Sequence, residues 1–204
     1  MSATILIAGA GQLGSRYLQG MFNCRNILDI YVQDISEKSL QIAKQRWEQV
    51  CHTSATSLHG GVADSAVQHK VTYLTSFEKI PTQIDIAIVA TNADARPNVV
   101  KQIVTNSTVR YWVLEKVLAQ SVTALDEILS LTQNSLGAWT NIPRRMMVWH
   151  QQIREKLSSE IPLHIKGSGS FWGLACNGIH CLDLAAWWTG ESLNTIDISG
   201  LDSQ

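Results

Sequence analysis

Residues 5–14 read ILIAGAGQLG, a run of four apolar residues, Ile5 to Ala8, that breaks directly into Gly9-Ala10-Gly11-Gln12-Leu13-Gly14. A short, wholly apolar run suits a parallel strand covered on both faces, and the glycines allow a turn tight enough for a helix to begin at once. Leu13, Tyr17, Leu18 and Met21 then recur at the spacing of one helical face. Strand, GxGxxG turn and helix in that order bring backbone N–H groups to a helix N-terminus, where a pyrophosphate is held. Asp34 stands at the end of the next apolar run, Ile30 to Val32. A carboxylate there can accept the ribose hydroxyls of a dinucleotide. Its charge opposes a ribose phosphate, and Ile35-Ser36-Glu37 brings no arginine to offset it, which favours NAD over NADP. The other reading of Asp34 is a turn or helix-cap aspartate. Gly9, Gly11, Gln12, Leu13, Gly14 and Asp34 are therefore the cofactor-binding candidates of this segment.

Working outward, strand and helix alternate. Leu40, Ala43, Trp47 and Val50 mark a second amphipathic helix, and the polar stretch from Cys51 to Gln68 reads as a connection. Val71 to Leu74 and Ile84 to Ala90 read as strands. Asp94 then caps a helix with Pro97 in its first turn. Val109 to Leu114 is the next strand, ending at Glu115-Lys116, followed by a helix over 121–133 and a strand over 136–141. Strands joined by helices of this length imply right-handed βαβ units, hence an α/β chain with a Rossmann-type doubly wound parallel sheet over residues 1–141.

After Asn141 the pattern changes. Met146, Trp149, Ile153 and Leu157 share one helical face and suggest a connector helix. Residues 162–171 suggest an antiparallel strand, Gly178 to Trp188 a short helix ended by Gly190, and 193–198 one more strand. Residues 142–204 thus read as a connector and a short, truncated α+β part of a substrate domain. Its apolar faces cannot all be covered within so short a segment, so packing on the first domain and on a partner subunit, a homo-oligomer, is expected.

The composition narrows the function classes. With 16 Lys and Arg against 17 Asp and Glu, the chain has no bulk attraction to nucleic acid or to an anionic membrane. No window approaches the roughly 20 apolar residues of a membrane span. The N-terminus lacks the basic region of a signal peptide and reads as mature structure. Cys24, Cys51, Cys176 and Cys181 form no CxxC pair, as expected of reduced thiols in a cytoplasmic protein without a structural metal. Neither internal repeats nor low-complexity tracts occur. Trp139, Trp149, Trp172, Trp187 and Trp188 crowd the C-terminal half, and none is assigned a ligand.

The fingerprint, IDIAIVATNADARPNVV at 84–100, Glu115-Lys116 and GIHCLDLAAWWTG at 178–190 occur in an order that resembles the glucose-fructose oxidoreductase, inositol dehydrogenase and MocA family (Gfo/Idh/MocA). That resemblance covers nearly the whole chain. It implies an oxidoreductase that moves a hydride between NAD and a hydroxyl-bearing carbon of a sugar, nucleotide sugar or polyol. It also implies that Lys116, in the family's Glu-Lys-Pro, lies near the nicotinamide and the substrate hydroxyl, with Glu115 on the cofactor side and His180 as a second proton-handling residue. Thr91 and Asn92, after the fourth strand, are further cofactor-side candidates, and Asn177 and Asp183, one helical turn either side of His180, are substrate-side candidates able to orient its ring. The pattern departs from the family at Val117 for proline, Cys176 for aspartate, Asn92 for proline, and Arg96 near a usual histidine. Two other readings remain: a dinucleotide-binding sensor or assembly subunit without turnover, and an amino-acid or imine dehydrogenase of related architecture.

Overall fold

A computed structural model describes residues 2–56, 69–157, 163–167, 173–197 and 199–200. The chain divides into two compact units, 1–141 and 142–204. In the first unit β1 (Ala3–Ala8), β2 (Leu28–Gln33), β3 (Lys70–Leu74), β4 (Gln83–Val89), β5 (Thr108–Glu115) and β6 (Gly137–Asn141) form one parallel sheet in the order β3-β2-β1-β4-β5-β6. Between them run α1 (Gln12–Met21), α2 (Glu37–Thr56), α3 (Arg96–Asn106) and α4 (Val122–Thr132).

The apolar run in β1 is continuous because each face of the sheet has its own core. Leu6 and Ala8 pack with Val89, Ile103, Trp112 and Ile128 on one side. Ile5 and Ile7, pointing the other way, pack with Leu18, Ile30, Val32 and Ala43. Each buried Leu, Ile or Val among them contributes about 1.5–3 kcal/mol relative to exposure. The strand order reverses between β1 and β4, and in doubly wound sheets the crevice at the carboxyl ends of those two strands receives the ligand.

Several sequence expectations need correction. Leu13 is exposed: α1 rests on the sheet through Gly14, Ser15 and Leu18, and small residues there bring the helix close while Leu13 falls to the side. Helix α2 continues through Cys51–Thr56, which contains no glycine or proline to stop it, so the first part of the expected connection is helical; 57–68 lie outside the described residues. Asp94 does not cap α3. Its N-cap is Ala95, preceded by a turn in which Arg96 N–H donates to Asn92 O at 3.1 Å. Ser121, by contrast, caps α4 by accepting from Ala124 N–H at 3.2 Å.

The second unit contains a 3-10 turn (Pro143–Met146), α5 (Val148–Lys156) and α6 (Leu174–Thr189), the last ended by Gly190 in the left-handed region at φ +75°. The connector's apolar face faces outward: Met146 is 76% and Trp149 55% exposed, whereas His150 is buried. Trp188 on α6 sets this orientation, its ring 5.2 Å from that of His150 and its Nε1–H donating to His150 O at 3.1 Å. Residues 163–167 and 191–197 are not strands, because among the described residues neither has a neighbouring strand to take its backbone groups. The remainder of both expected strands, 162, 168–171 and 198, lies outside the described residues. No described helix is long and apolar enough to cross a membrane.

One acidic side chain ties three strands together. Asp85 on β4 accepts from Thr4 N–H of β1 at 2.9 Å and from Arg110 Nη1 of β5 at 3.0 Å. The backbone donor first, and the guanidinium second, hold its carboxyl below the ordinary value. A lowered folded value gives stability that is present above the ordinary carboxylate range and is lost as pH falls through the folded value. Asp85→Asn is expected to remove that part of the acid dependence, by less than about 1 kcal/mol because Arg110 is largely solvated. Urea melts at neutral and acid pH measure it, and an unchanged difference between the two would refute the assignment.

Candidate functional site

The site grows from the turn after β1. Gly9 has φ +95°, a left-handed conformation that side chains disfavour, and its N–H donates to Gln33 O at 2.7 Å. A Cβ on Gly14 would stand 1.7 Å from Gly9 O, so only glycine lets α1 approach β1 this closely. Gly11 is different: a Cβ there would meet nothing within 4 Å. The loop therefore has two glycines demanded by the protein's own backbone and one that keeps a cradle open.

Asp34 closes the side of this cradle. Its Oδ2 accepts from Ala10 N–H at 2.7 Å and its Oδ1 from Ser36 N–H at 2.8 Å. The carboxylate is thus fixed against the glycine loop, and each oxygen keeps acceptor capacity for a further donor. The capping task at α2 goes to Ser36, whose Oγ accepts from Ser39 N–H at 3.2 Å. Gln12 is bound by Arg46 of α2, Nη2 to Oε1 at 2.8 Å, and Leu13 is exposed beside it.

Across the switch point Thr91 follows β4, and its Oγ1 is buried without a hydrogen-bond partner. Its Cγ2 would lie 3.1 Å from a Cβ on Gly9, so this orphaned hydroxyl belongs to the residue lining the glycine turn. Asn92 beside it is exposed. An orphaned donor and an open cradle on one edge fit a group bearing both phosphates and hydroxyls.

Glu115 ends β5 on the same edge of the sheet, and Lys116 follows it. Glu115 is buried, and its Oε1 accepts from the Tyr17 hydroxyl and from Asn141 Nδ2, the latter at 2.7 Å. Burial, reinforced by the Glu115 charge, pushes the Tyr17 hydroxyl well above its ordinary value, so it remains a donor. Lys116 is half-buried, and the Lys116–Val117 peptide is cis. Arg96, at the start of α3, donates to Thr91 O, Val117 O and Leu118 O.

In the second unit α6 carries Asn177, His180 and Asp183. His180 is buried, and Asp183 is engaged by Arg145, with Nε to Oδ2 at 2.7 Å and Nη2 to Oδ1. The hydrogen bonds that Arg145 donates to Asp183 raise its value above the ordinary one. Burial, with the charge of Arg144, lowers that of His150. Tyr17, Arg96, Asn141 and Arg145 were not singled out as site residues by sequence reasoning. Tyr17 reads there as part of an apolar face. Of the others, Arg96 is marked in the sequence only as a departure near a usual histidine, and Asn141 and Arg145 lie in NIPRR, which begins at the last residue of β6.

No protein-family model matches the chain, and no curated protein matches its sequence. Solved structures do match. Myo-inositol dehydrogenase from Lactobacillus casei in complex with NAD(H) and myo-inositol is 16% identical with a TM-score of 0.64, over 93% of this chain and 55% of that one. The transcriptional regulator Gal80p from Kluyveromyces lactis is 17% identical with a TM-score of 0.64, over 93% and 51%. Myo-inositol 2-dehydrogenase from Lactobacillus plantarum is 15% identical with a TM-score of 0.63, over 93% and 57%. The chain spans about half the length of these structures. At such identities the likeness is one of backbone, and what it establishes is that the chain shares, over that half, the fold of these two inositol dehydrogenases and of Gal80p.

Proposed function

We propose that the chain is the NAD-binding part of an oxidoreductase that acts on a hydroxyl-bearing carbon of a sugar, nucleotide sugar or polyol. The observation that carries this reading is the open cradle at Gly11, flanked by the fixed Asp34 carboxylate and the orphaned Thr91 hydroxyl. Gly9, Gly11, Gln12, Leu13 and Gly14 would hold the pyrophosphate, Asp34 the ribose, and Thr91 and Asn92 the far side of the cofactor. Bound nicotinamide would supply the acceptor or donor of the hydride. Lys116 Nζ hydrogen-bonds the reacting oxygen and takes part in moving its proton, with His180 as a second proton-handling group. Glu115, fixed by Tyr17 and Asn141, sets the strand end from which Lys116 projects. Asn177 and Asp183 belong to the substrate side, in a second domain that functions in a cytoplasmic homo-oligomer. A panel of sugars, polyols and amino acids assayed for NADH absorbance tests the reading. NAD binding with no turnover of any of them would favour a second reading, a dinucleotide-binding regulator, which the likeness to Gal80p and the substitutions Val117 and Cys176 support.

Cofactor choice gives a direct expectation. NAD is expected to bind more tightly than NADP, because a ribose phosphate would meet the Asp34 carboxylate. Asp34→Asn replaces one acceptor by a donor facing either Ala10 N–H or Ser36 N–H. The variant is expected to lose about 1.5–3 kcal/mol of NAD binding and most of its discrimination. Fluorescence titration with both cofactors measures it; equal affinities in the wild type would mean that Asp34 selects nothing.

A further inference from the structure

The geometry points to Arg96 as the positioning residue for Lys116, by stapling the loop after β5 to the loop after β4; this rests on the proposed role of Lys116. Arg96 is 1% exposed, an unusual place for a guanidinium. Burial lowers its value, while the charges of Glu115 and Asp94 raise it. Such a cation is tolerated only where it is bonded; its Nε is buried without a partner, but both terminal nitrogens have specific ones. Nη1 donates to Val117 O and, at 2.8 Å, to Leu118 O; Nη2 donates to Thr91 O. Val117 and Leu118 are the two residues directly after Lys116. Thr91 is the second residue after β4 and carries the orphaned hydroxyl of the cradle.

The residue before Lys116 is held as well. Glu115 accepts from Tyr17 of α1 and Asn141 of β6, so the backbone on each side of the lysine is anchored by a different set of elements. Val117 has no ring to limit its backbone, and the anchoring comes instead from its carbonyl. A planar fork with donors on two nitrogens can span two loops at once, which a single ammonium cannot do. Arg96 therefore acts on the chemistry through the loop that carries the lysine. It fixes the distance between the cofactor-side loop at Thr91 and the lysine.

The test compares Arg96→Met, which removes the donors, with Arg96→Lys, which keeps a cation but not the fork, in the full chain. Hydrogen exchange of the peptide covering 116–120 is expected to speed up in both variants while that of the glycine loop holds. Where the wild type turns over a sugar or polyol, kcat is expected to fall on the order of 10²-fold with KM and NAD affinity little changed, as for a misplaced reacting group. Should Arg96→Met fail to fold, Arg96→Lys carries the same expectations. Unchanged exchange at 116–120, or wild-type kcat in a folded variant, overturns the inference. If the wild type has no turnover, the proposed function fails on its own account, and the exchange measurement still decides whether Arg96 holds the lysine loop.

Discussion

Lys116→Met is expected to lower turnover by ~10²–10⁴-fold, the usual cost of losing a positioned acid-base group, while NAD affinity stays near that of the wild type. The split follows from where the lysine stands. The groups proposed to hold the cofactor are backbone amides of the 9–14 loop, Asp34 and Thr91, which follow β1, β2 and β4. Lys116 lies after β5, between an anchored Glu115 and the carbonyls taken by Arg96. Methionine keeps the length and apolar stem of the side chain, so it removes the amine and little else. His180→Ala is expected to act in the same direction but more mildly, because Cys176 cannot orient an imidazole as a carboxylate would. Steady-state assays on the best substrate of the panel, with a parallel NAD titration, measure both. Near-normal turnover by the Lys116 variant would remove the lysine from the chemistry.

The sheet was legible from sequence because burial on both faces writes itself as unbroken apolar runs. Ile5 to Ala8 and Ile84 to Ala90 could be little else, and their parallel pairing follows from the helices between them. The second unit was not legible in the same way. Periodicity shows that Met146, Trp149 and Ile153 share a helical face, but not that the neighbouring helix meets the opposite one; that is decided by Trp188 and His150, 38 positions apart. The strands expected over 162–171 and 193–198 had no local pattern to name a partner, and among the described residues 163–167 and 193–197 pair with no neighbouring strand.

The same distinction runs through the site. The glycine turn and Asp34 were visible because their task is imposed by local backbone geometry at fixed spacing. Tyr17, Glu115 and Asn141 meet across sequence separations of 98 and 124 residues, and no local pattern encodes such a meeting. Arg96 is a further case. The sequence marks it only as a departure near a usual histidine, and its burial against the carbonyls of two loops is visible in the structure alone.

The sharpest separation of fold from cofactor binding comes from two glycines three positions apart. Gly14→Ala would set a Cβ 1.7 Å from Gly9 O and 2.8 Å from Gly9 C, both backbone atoms that cannot step aside. Helix α1 must then lift from β1, over the core formed by Ile5, Ile7 and Leu18, and the variant is expected to lose at least the ~1–3 kcal/mol typical of overpacking, or not to fold. Gly11→Ala meets none of this. Gly11 is the N-cap of α1 with φ −64° and ψ −161°, which alanine adopts freely, and its Cβ would point into open space. That variant is expected to melt within about 0.5 kcal/mol of the wild type, as surface substitutions do. Its methyl group would nevertheless occupy the cradle into which the pyrophosphate must come close to backbone. NAD affinity is therefore expected to fall at least about tenfold, or roughly 1.4 kcal/mol. Thermal melts and NAD titrations on the same two proteins distinguish the roles. Wild-type NAD affinity in Gly11→Ala would show that no cofactor approaches the loop at that residue, and a wild-type melting temperature in Gly14→Ala would show that α1 does not rest on β1 as closely as Gly14 allows.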